Sequence, residues 1–256
     1  MIGVFDSGIG GLTVLKEINK QLPEVNAIYI ADSAFTPYGN KTSEQIIERC
    51  FFLVEKLISQ GAEIIVVACN TATAIAINDL RESFDVPIVA MEPAVKPAVE
   101  TSKQGKVGIL ATEMTLSSKR YISLLERFAI QTKVIEQACP GLVEQIEALN
   151  IESVETEKLI QKYIEPMLQE SVDAIVLGCT HYPFIRDQIL KKVNEEITII
   201  DTAYAVVKEL KNKLPKNKRS KNQLLQYQFY TTGSVIHFQK QLDVYWLDQV
   251  RGKSLL

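Results

Sequence analysis

Short apolar runs rich in Val and Ile alternate along this chain with longer stretches of helical spacing. That alternation restricts the fold more than any single motif does. The runs are "IGVF" (2–5), "AIYIA" (27–31), "EIIVVA" (63–68), "PIVA" (87–90), "KVGIL" (106–110), "TKVIE" (132–136), "DAIVLG" (173–178), "ITII" (197–200) and "YQFYTT" (227–232). Each reads as a strand. Among the helical stretches, "TSEQIIERCFFLVEKLISQG" (42–61) lines one face with Ile46, Ile47, Cys50, Leu53, Val54 and Leu57, and Gly61 ends it. Strands that alternate with helices predict parallel sheets covered on both faces.

The pattern also occurs twice. "IIVVACNTATA" (64–74) and "AIVLGCTHYPF" (174–184) share a layout of buried strand, small residue, cysteine, two polar residues and helix start. Cys69 and Cys179 lie 110 residues apart, about the size of one small domain. "GVFDSGIGG" and "VGILATEMT" open the two halves in a similar way. The expectation is an α/β chain of two similar lobes, each a mostly parallel sheet flanked by helices, with the active site in the crevice between them. Residues 1–93 with 205–256 would form the lobe carrying Asp6 and Cys69; residues 94–204 would form the lobe carrying Cys179 and His181.

A length of 256 residues suits that division. The net charge of −3 does not advertise nucleic acid or an anionic membrane. The one strong charge run, "KNKLPKNKRSKN" (211–222), has no interleaved aromatics and reads as a solvated connection. No apolar run reaches the roughly 18 residues needed to span a bilayer. "MIGVFDSGIGG" lacks the basic segment and apolar core of a secretory signal. The four cysteines are scattered with no CxxC pair, so no disulfide framework is expected and a cytoplasmic, reducing setting fits.

In open α/β sheets, ligands bind beyond the carboxyl ends of the strands. Four polar clusters fall there: "DSG" (6–8), "DSAFTPYGNK" (32–41), "CNT" (69–71) and "CTH" (179–181). The amides of "DSGIGG" can hold an anion. Asp6 would repel a phosphate, so the loop suits a zwitterion: an ammonium at Asp6, a carboxylate on the amides and the Ser7 hydroxyl. It suits equally a tight turn in which Asp6 caps a helix. Cys50, inside its helical stripe, reads as core. Cys69 and Cys179 sit where backbone amides and polar neighbours can lower a thiol pKa from about 8.5.

Three chemistries fit those two thiols. Zinc would need Cys69, Cys179 and His181, whose spacing is not that of a usual site. A cysteine hydrolase needs one nucleophile and leaves the second cysteine unexplained. A pair of acid–base groups uses both, one thiol removing a proton from one face of a carbon and the other returning it on the opposite face. His181 would then help Cys179, and Asp6 would approach Cys69 from the neighbouring strand. Positioned acid–base groups contribute roughly 10²–10⁴-fold each.

"FDSGIGGL" (5–12), "TPYGNK" (36–41), "VACNTATA" (67–74), "CPGLVEQIE" (139–147) and "LGCTHYP" (177–183), in that order, resemble the glutamate racemases. Aspartate racemases share the two-cysteine logic, but the wording is that of the glutamate branch. The resemblance implies a racemase without cofactor or metal that interconverts L- and D-glutamate and supplies D-glutamate for peptidoglycan. It implies that Cys69 takes the α-proton from D-glutamate and Cys179 from L-glutamate. Asp6 would assist Cys69; His181 and an acidic residue after Cys139 would assist Cys179. Asp6–Ser7, Tyr38–Gly39, Asn70–Thr71 and Thr180–His181 match the family's substrate-binding pairs, and Thr112 a further polar contact. Counting from Cys139–Pro140 selects Glu147 as the acidic helper, with Glu144 three residues earlier on a shared helix face. Ser234 stands where an acidic residue is common in the family. Tyr38 and Gly39 also fit plain packing and turn roles, while Cys139 and His237 read as structural. A homodimer is expected. The competing readings are a cysteine-dependent amidase or hydrolase, a racemase of a related acidic amino acid such as aspartate, and a two-lobed amino-acid-binding module.

Overall fold

A computed structural model of the protein describes residues 1–214, 227–246 and 250–255. The strands are β1 (Ile2–Asp6), β2 (Ala27–Ala31), β3 (Ile64–Val67), β4 (Ile88–Ala90), β5 (Lys106–Ala111), β6 (Lys133–Ala138), β7 (Ala174–Leu177), β8 (Thr198–Ile200), β9 (Tyr227–Thr231) and β10 (Gly252–Ser254). The chain divides into two compact units, one of Met1–Met91 with Ala203–Leu256 and one of Glu92–Thr202.

The first unit holds a six-stranded sheet in the order β10-β9-β2-β1-β3-β4, with every neighbouring pair parallel. Its inner strands are continuous apolar runs because helices cover both faces; Ile2, Val4, Phe5, Ile65, Val66 and Val67 are wholly buried. Helix Ser43–Ser59 starts at a capping box, in which Thr42 and Gln45 satisfy each other's backbone N–H groups. It buries Ile46, Cys50, Leu53, Val54 and Leu57 and leaves Ile47 half-buried. The chain then leaves through Gly61 at φ +89°, a left-handed conformation that favours glycine.

The second unit holds a four-stranded parallel sheet in the order β6-β5-β7-β8. Tyr121 and Leu124 of helix Lys119–Phe128 pack with Val95 and Ala98 of helix Val95–Thr101 over Val107, Ile109 and Val176 of the sheet. The mostly parallel α/β architecture read from the apolar runs is therefore present, and among the described strands it is wholly parallel.

Within each sheet the same order recurs. The first strand of the set lies inside, the second on one flank, and the third and fourth on the other. The winding reverses between β1 and β3 in one sheet and between β5 and β7 in the other. Loops at the carboxyl ends of such a pair diverge and leave room for a ligand.

Two elements differ from the sequence reading. β6 extends two residues beyond the apolar run and stands half-exposed at a sheet edge. β10 has no apolar signature; it is held by parallel pairing with β9, and Gly252 lies so close to Phe238 that a Cβ there would come within 2.8 Å of the ring. From residue 215 onward, the lysine-rich run lies outside the described residues. Among the described residues no helix is long and apolar enough to cross a membrane.

Candidate active site

In the first unit, β1 ends at Asp6 between two parallel neighbours. The Asp32 N–H donates to the Asp6 carbonyl at 2.9 Å, and the Ala68 N–H to the Phe5 carbonyl at 2.9 Å. Asp6 and the residue before Cys69 thus lie side by side where the winding reverses. The Asp6 carboxylate accepts the Gly8 N–H at 3.0 Å, folding into its own loop. It does not cap the following helix, Leu12–Gln21, whose N-cap is Gly11 with no side-chain cap. Gly11 admits no side chain, since a Cβ would lie 2.7 Å from that of Asp6. The buried Tyr29 hydroxyl donates to the Gly8 carbonyl and braces the loop from below.

Cys69 is 4% exposed and forms the N-cap of the 14-residue helix Asn70–Ser83. Its Sγ accepts the Ala72 N–H at 3.4 Å and lies 3.7 Å from the Ser7 hydroxyl. An amide aimed at sulfur at a helix N-terminus favours the thiolate over the thiol. Next to it, Asn70 is buried, yet neither its Oδ1 nor its Nδ2 has a hydrogen-bond partner among the described residues. A buried amide in that state is costly unless a ligand uses it. Thr71 is buried beside it.

Tyr38 and Gly39 belong to a short 3₁₀ turn, Tyr38–Asn40, that packs on the same helix. The Tyr38 hydroxyl is committed to Asp32 Oδ2 at 2.6 Å, which leaves the Gly39 backbone as the part of the pair open to a ligand. Burial, followed by the Asp32 charge, pushes the Tyr38 phenol well above its ordinary range, so it stays a donor.

In the second unit, β7 runs into Gly178, whose N–H donates to the Leu110 carbonyl at 2.7 Å. A Cβ at Gly178 would meet that oxygen at 2.8 Å. Cys179 follows, 7% exposed. The expected helix start is here a tight turn. Pro183 has no N–H to give the Cys179 carbonyl, which takes the Tyr182 N–H at 3.1 Å instead, and a 3₁₀ segment runs over Tyr182–Ile185.

That turn buries His181 with Nδ1 3.7 Å from Cys179 Sγ and 3.4 Å from the Thr180 hydroxyl. Its Nε2 lies 2.6 Å from Glu147 Oε1. Burial pushes the imidazolium pKa down, but hydrogen bonds to Cys179 and Glu147, with their charges, outweigh it and hold His181 well above its ordinary value. Glu147 reaches this position because Gly141, at φ +89°, turns the chain after Pro140 into helix Leu142–Glu147. Glu147 is buried at the inner end of that helix and Glu144 is exposed. Cysteine, imidazole and carboxylate therefore form one line for moving a proton.

Thr112 stands at the carboxyl end of β5 and caps the next turn, accepting the Thr115 N–H at 3.3 Å. Cys139 donates to the Gln137 carbonyl, and burial pushes its thiol up; Cys50 is likewise pushed up by burial. Both stay protonated within the core. His237 is exposed on helix Val235–Tyr245, its Nε2 3.0 Å from the Gln241 side chain. Among the described residues no three His, Cys, Asp or Glu side chains gather as a metal site. Asp32, Arg49, Thr232 and Tyr29, which hold the first unit's loops, were not legible as site residues. Asp32 stands within "DSAFTPYGNK", but its partners come from distant segments.

The Asp/Glu/hydantoin racemase family matches residues 2–210. A glutamate racemase of Stutzerimonas stutzeri is 45% identical over 246 residues, covering 96% of this chain and 93% of that protein. The crystal structure of glutamate racemase isoform RacE1 from Bacillus anthracis superposes with a TM-score of 0.90 at 34% identity, covering 99% of this chain and 96% of that one. The Escherichia coli glutamate racemase, solved with L-glutamate and the activator UDP-MurNAc-Ala, gives 0.86 at 30% identity over 99% of this chain and 96% of that one. This chain belongs to the Asp/Glu/hydantoin racemase family and, within it, to the glutamate racemases.

Proposed function

We propose that the protein interconverts L- and D-glutamate with Cys69 and Cys179 as opposed proton carriers and without a cofactor. The observation that carries this reading is the recurrence of one arrangement. Each sheet ends at its winding reversal in a buried thiol, and each thiol has its own polar neighbours: Ser7 and the Ala72 amide for Cys69, and the His181–Glu147 pair for Cys179. A hydrolase would leave one of the two sets without work.

In the direction from L to D, the Cys179 thiolate takes the α-proton and becomes a thiol. The electron pair left at the α-carbon delocalises into the substrate carboxylate. Cys69, as a thiol, gives its proton to the opposite face and is left as a thiolate. From D to L the roles exchange, and solvent protons passed through His181 or Asp6 reset the pair between turnovers. An α-hydrogen beside an unactivated carboxylate is a very weak acid, so the thiolate must be close and poorly hydrated; the burial of both thiols supports this. Asp6 would hold the ammonium. Ser7, the buried Asn70 amide, Thr71, Thr180 and the Gly39 backbone would hold the carboxylates, with Thr112 a further polar contact.

The D-glutamate so formed would serve peptidoglycan synthesis, in a cytoplasmic setting and from a dimeric enzyme. The test is incubation of chelator-treated protein, without pyridoxal phosphate, with L-glutamate. We expect D-glutamate to accumulate until the enantiomers are equal, followed by circular dichroism and chiral chromatography. Racemisation of aspartate with glutamate untouched would overturn the substrate assignment.

A further inference from the structure

The carboxylate of Asp32 is wholly buried and accepts four hydrogen bonds from three separate segments. Arg49, on helix Ser43–Ser59, donates Nε to Oδ2 at 3.0 Å and Nη2 to Oδ1 at 2.7 Å. The Tyr38 hydroxyl donates to Oδ2 at 2.6 Å. Thr232, just past β9, donates to Oδ1 at 2.8 Å and accepts the Ala34 N–H at 3.1 Å. The Arg49 guanidinium is itself fixed between rings, 4.0 Å from the Phe35 centroid and 4.6 Å from that of Phe52. Through its own N–H, Asp32 bonds the carbonyl of Asp6.

Stability alone does not call for this cluster. A buried ion pair is commonly no better than apolar packing of the same volume, and its best-attested use is to fix one arrangement among several. Here the arrangement fixed is that of the loop over 32–41, which ends in the Tyr38–Asn40 turn against the helix capped by Cys69. We propose that the Asp32–Arg49 pair is a positioning device: it locks Tyr38, and through it presents the Gly39 backbone to the substrate, so that it sets the affinity for glutamate rather than the rate of proton transfer. The affinity part rests on the glutamate reading above. The positioning part does not.

A fork of two parallel bonds is not reproduced by lysine, which keeps the charge as a point. Arg49→Lys therefore tests the fork, and Tyr38→Phe deletes a single oxygen and keeps the test open if Arg49→Lys does not fold. The amides of Asn40 and Lys41, bonded to the Pro37 and Tyr38 carbonyls, report the turn directly. In each variant we expect their hydrogen exchange to quicken about 10-fold or more while the β1 and β3 amides are unchanged. We also expect KM for both enantiomers to rise about 10-fold with kcat within about 3-fold, and the double variant to be no worse than the weaker single one. Unchanged exchange at Asn40 and Lys41 in folded Tyr38→Phe would overturn the positioning role, whatever the enzyme's activity. Faster exchange with KM unmoved, or a loss confined to melting temperature and kcat, would overturn the link to affinity. Faster exchange in a protein that makes no D-glutamate would count against the glutamate reading and leave the positioning role standing.

Discussion

Alanine at Cys69 or at Cys179 is expected to lower racemisation about 10⁴-fold in both directions, the upper end of what a positioned acid–base group contributes. The loss is large if, as proposed, each thiol serves one face of the α-carbon and cannot replace its partner on the other. It is also shared: the enantiomers have equal free energy in water, so any variant must lose kcat/KM equally for both. The double variant should be scarcely worse than either single one, since the two groups act as a unit. A second readout separates the thiols. In Cys69→Ala the intact Cys179 still lifts and returns the α-hydrogen of L-glutamate, so slow solvent exchange persists for that enantiomer alone. Cys179→Ala should show the converse. Substantial turnover in Cys69→Ala would instead favour a single nucleophile at Cys179.

Glu147→Gln is expected to slow turnover about 10²-fold, the lower end of the acid–base range, because it acts on the proton carrier's helper and not on the carrier. Its sign with pH follows from the pair. His181 is held well above its ordinary value in the fold, by hydrogen bonds and charges at Cys179 and Glu147 that overcome burial. The stabilisation this gives is full below the unfolded value of about 6.5 and is lost as pH rises through the raised folded value. Removing the Glu147 charge lowers that upper limit. The alkaline fall in activity should therefore move to lower pH in Glu147→Gln, and so should the imidazole titration seen by NMR. With two histidines in the chain, a His237→Gln variant assigns the signals. Glu144→Gln, altering an exposed carboxylate on the same helix, should leave both profiles in place.

The placement of the two thiols at strand ends was legible because its signal is local: a buried parallel strand needs a continuous apolar run, and a polar group at its end marks the carboxyl edge of the sheet. Cys69 and Cys179 each stand one residue beyond such a run. Counting from Cys139–Pro140 selected Glu147 over Glu144; the structure adds the physical reason, the left-handed Gly141 and a contact with His181 spanning 34 residues. Arg49 was hidden. On helix Ser43–Ser59 it lies outside the apolar stripe, its partner Asp32 comes from the end of β2, and Thr232 reaches that carboxylate only once β2 and β9 pair. β10 was hidden because "GKS" carries no apolar pattern; its pairing with β9 supplies what its composition lacks. The turn at Cys179 departs from the helix start at Cys69 because of one proline, Pro183.

Whether two different groups handle the α-hydrogen on opposite faces is decided by early turnover in D₂O. L-Glutamate is incubated with the protein, and both enantiomers are separated at low conversion and read by α-proton NMR. With two bases, D-glutamate is expected to carry solvent deuterium at the α-carbon, while the remaining L-glutamate keeps its protium. Product that retains the substrate's own α-hydrogen, or L-glutamate that gains deuterium as fast as D-glutamate appears, would contradict it.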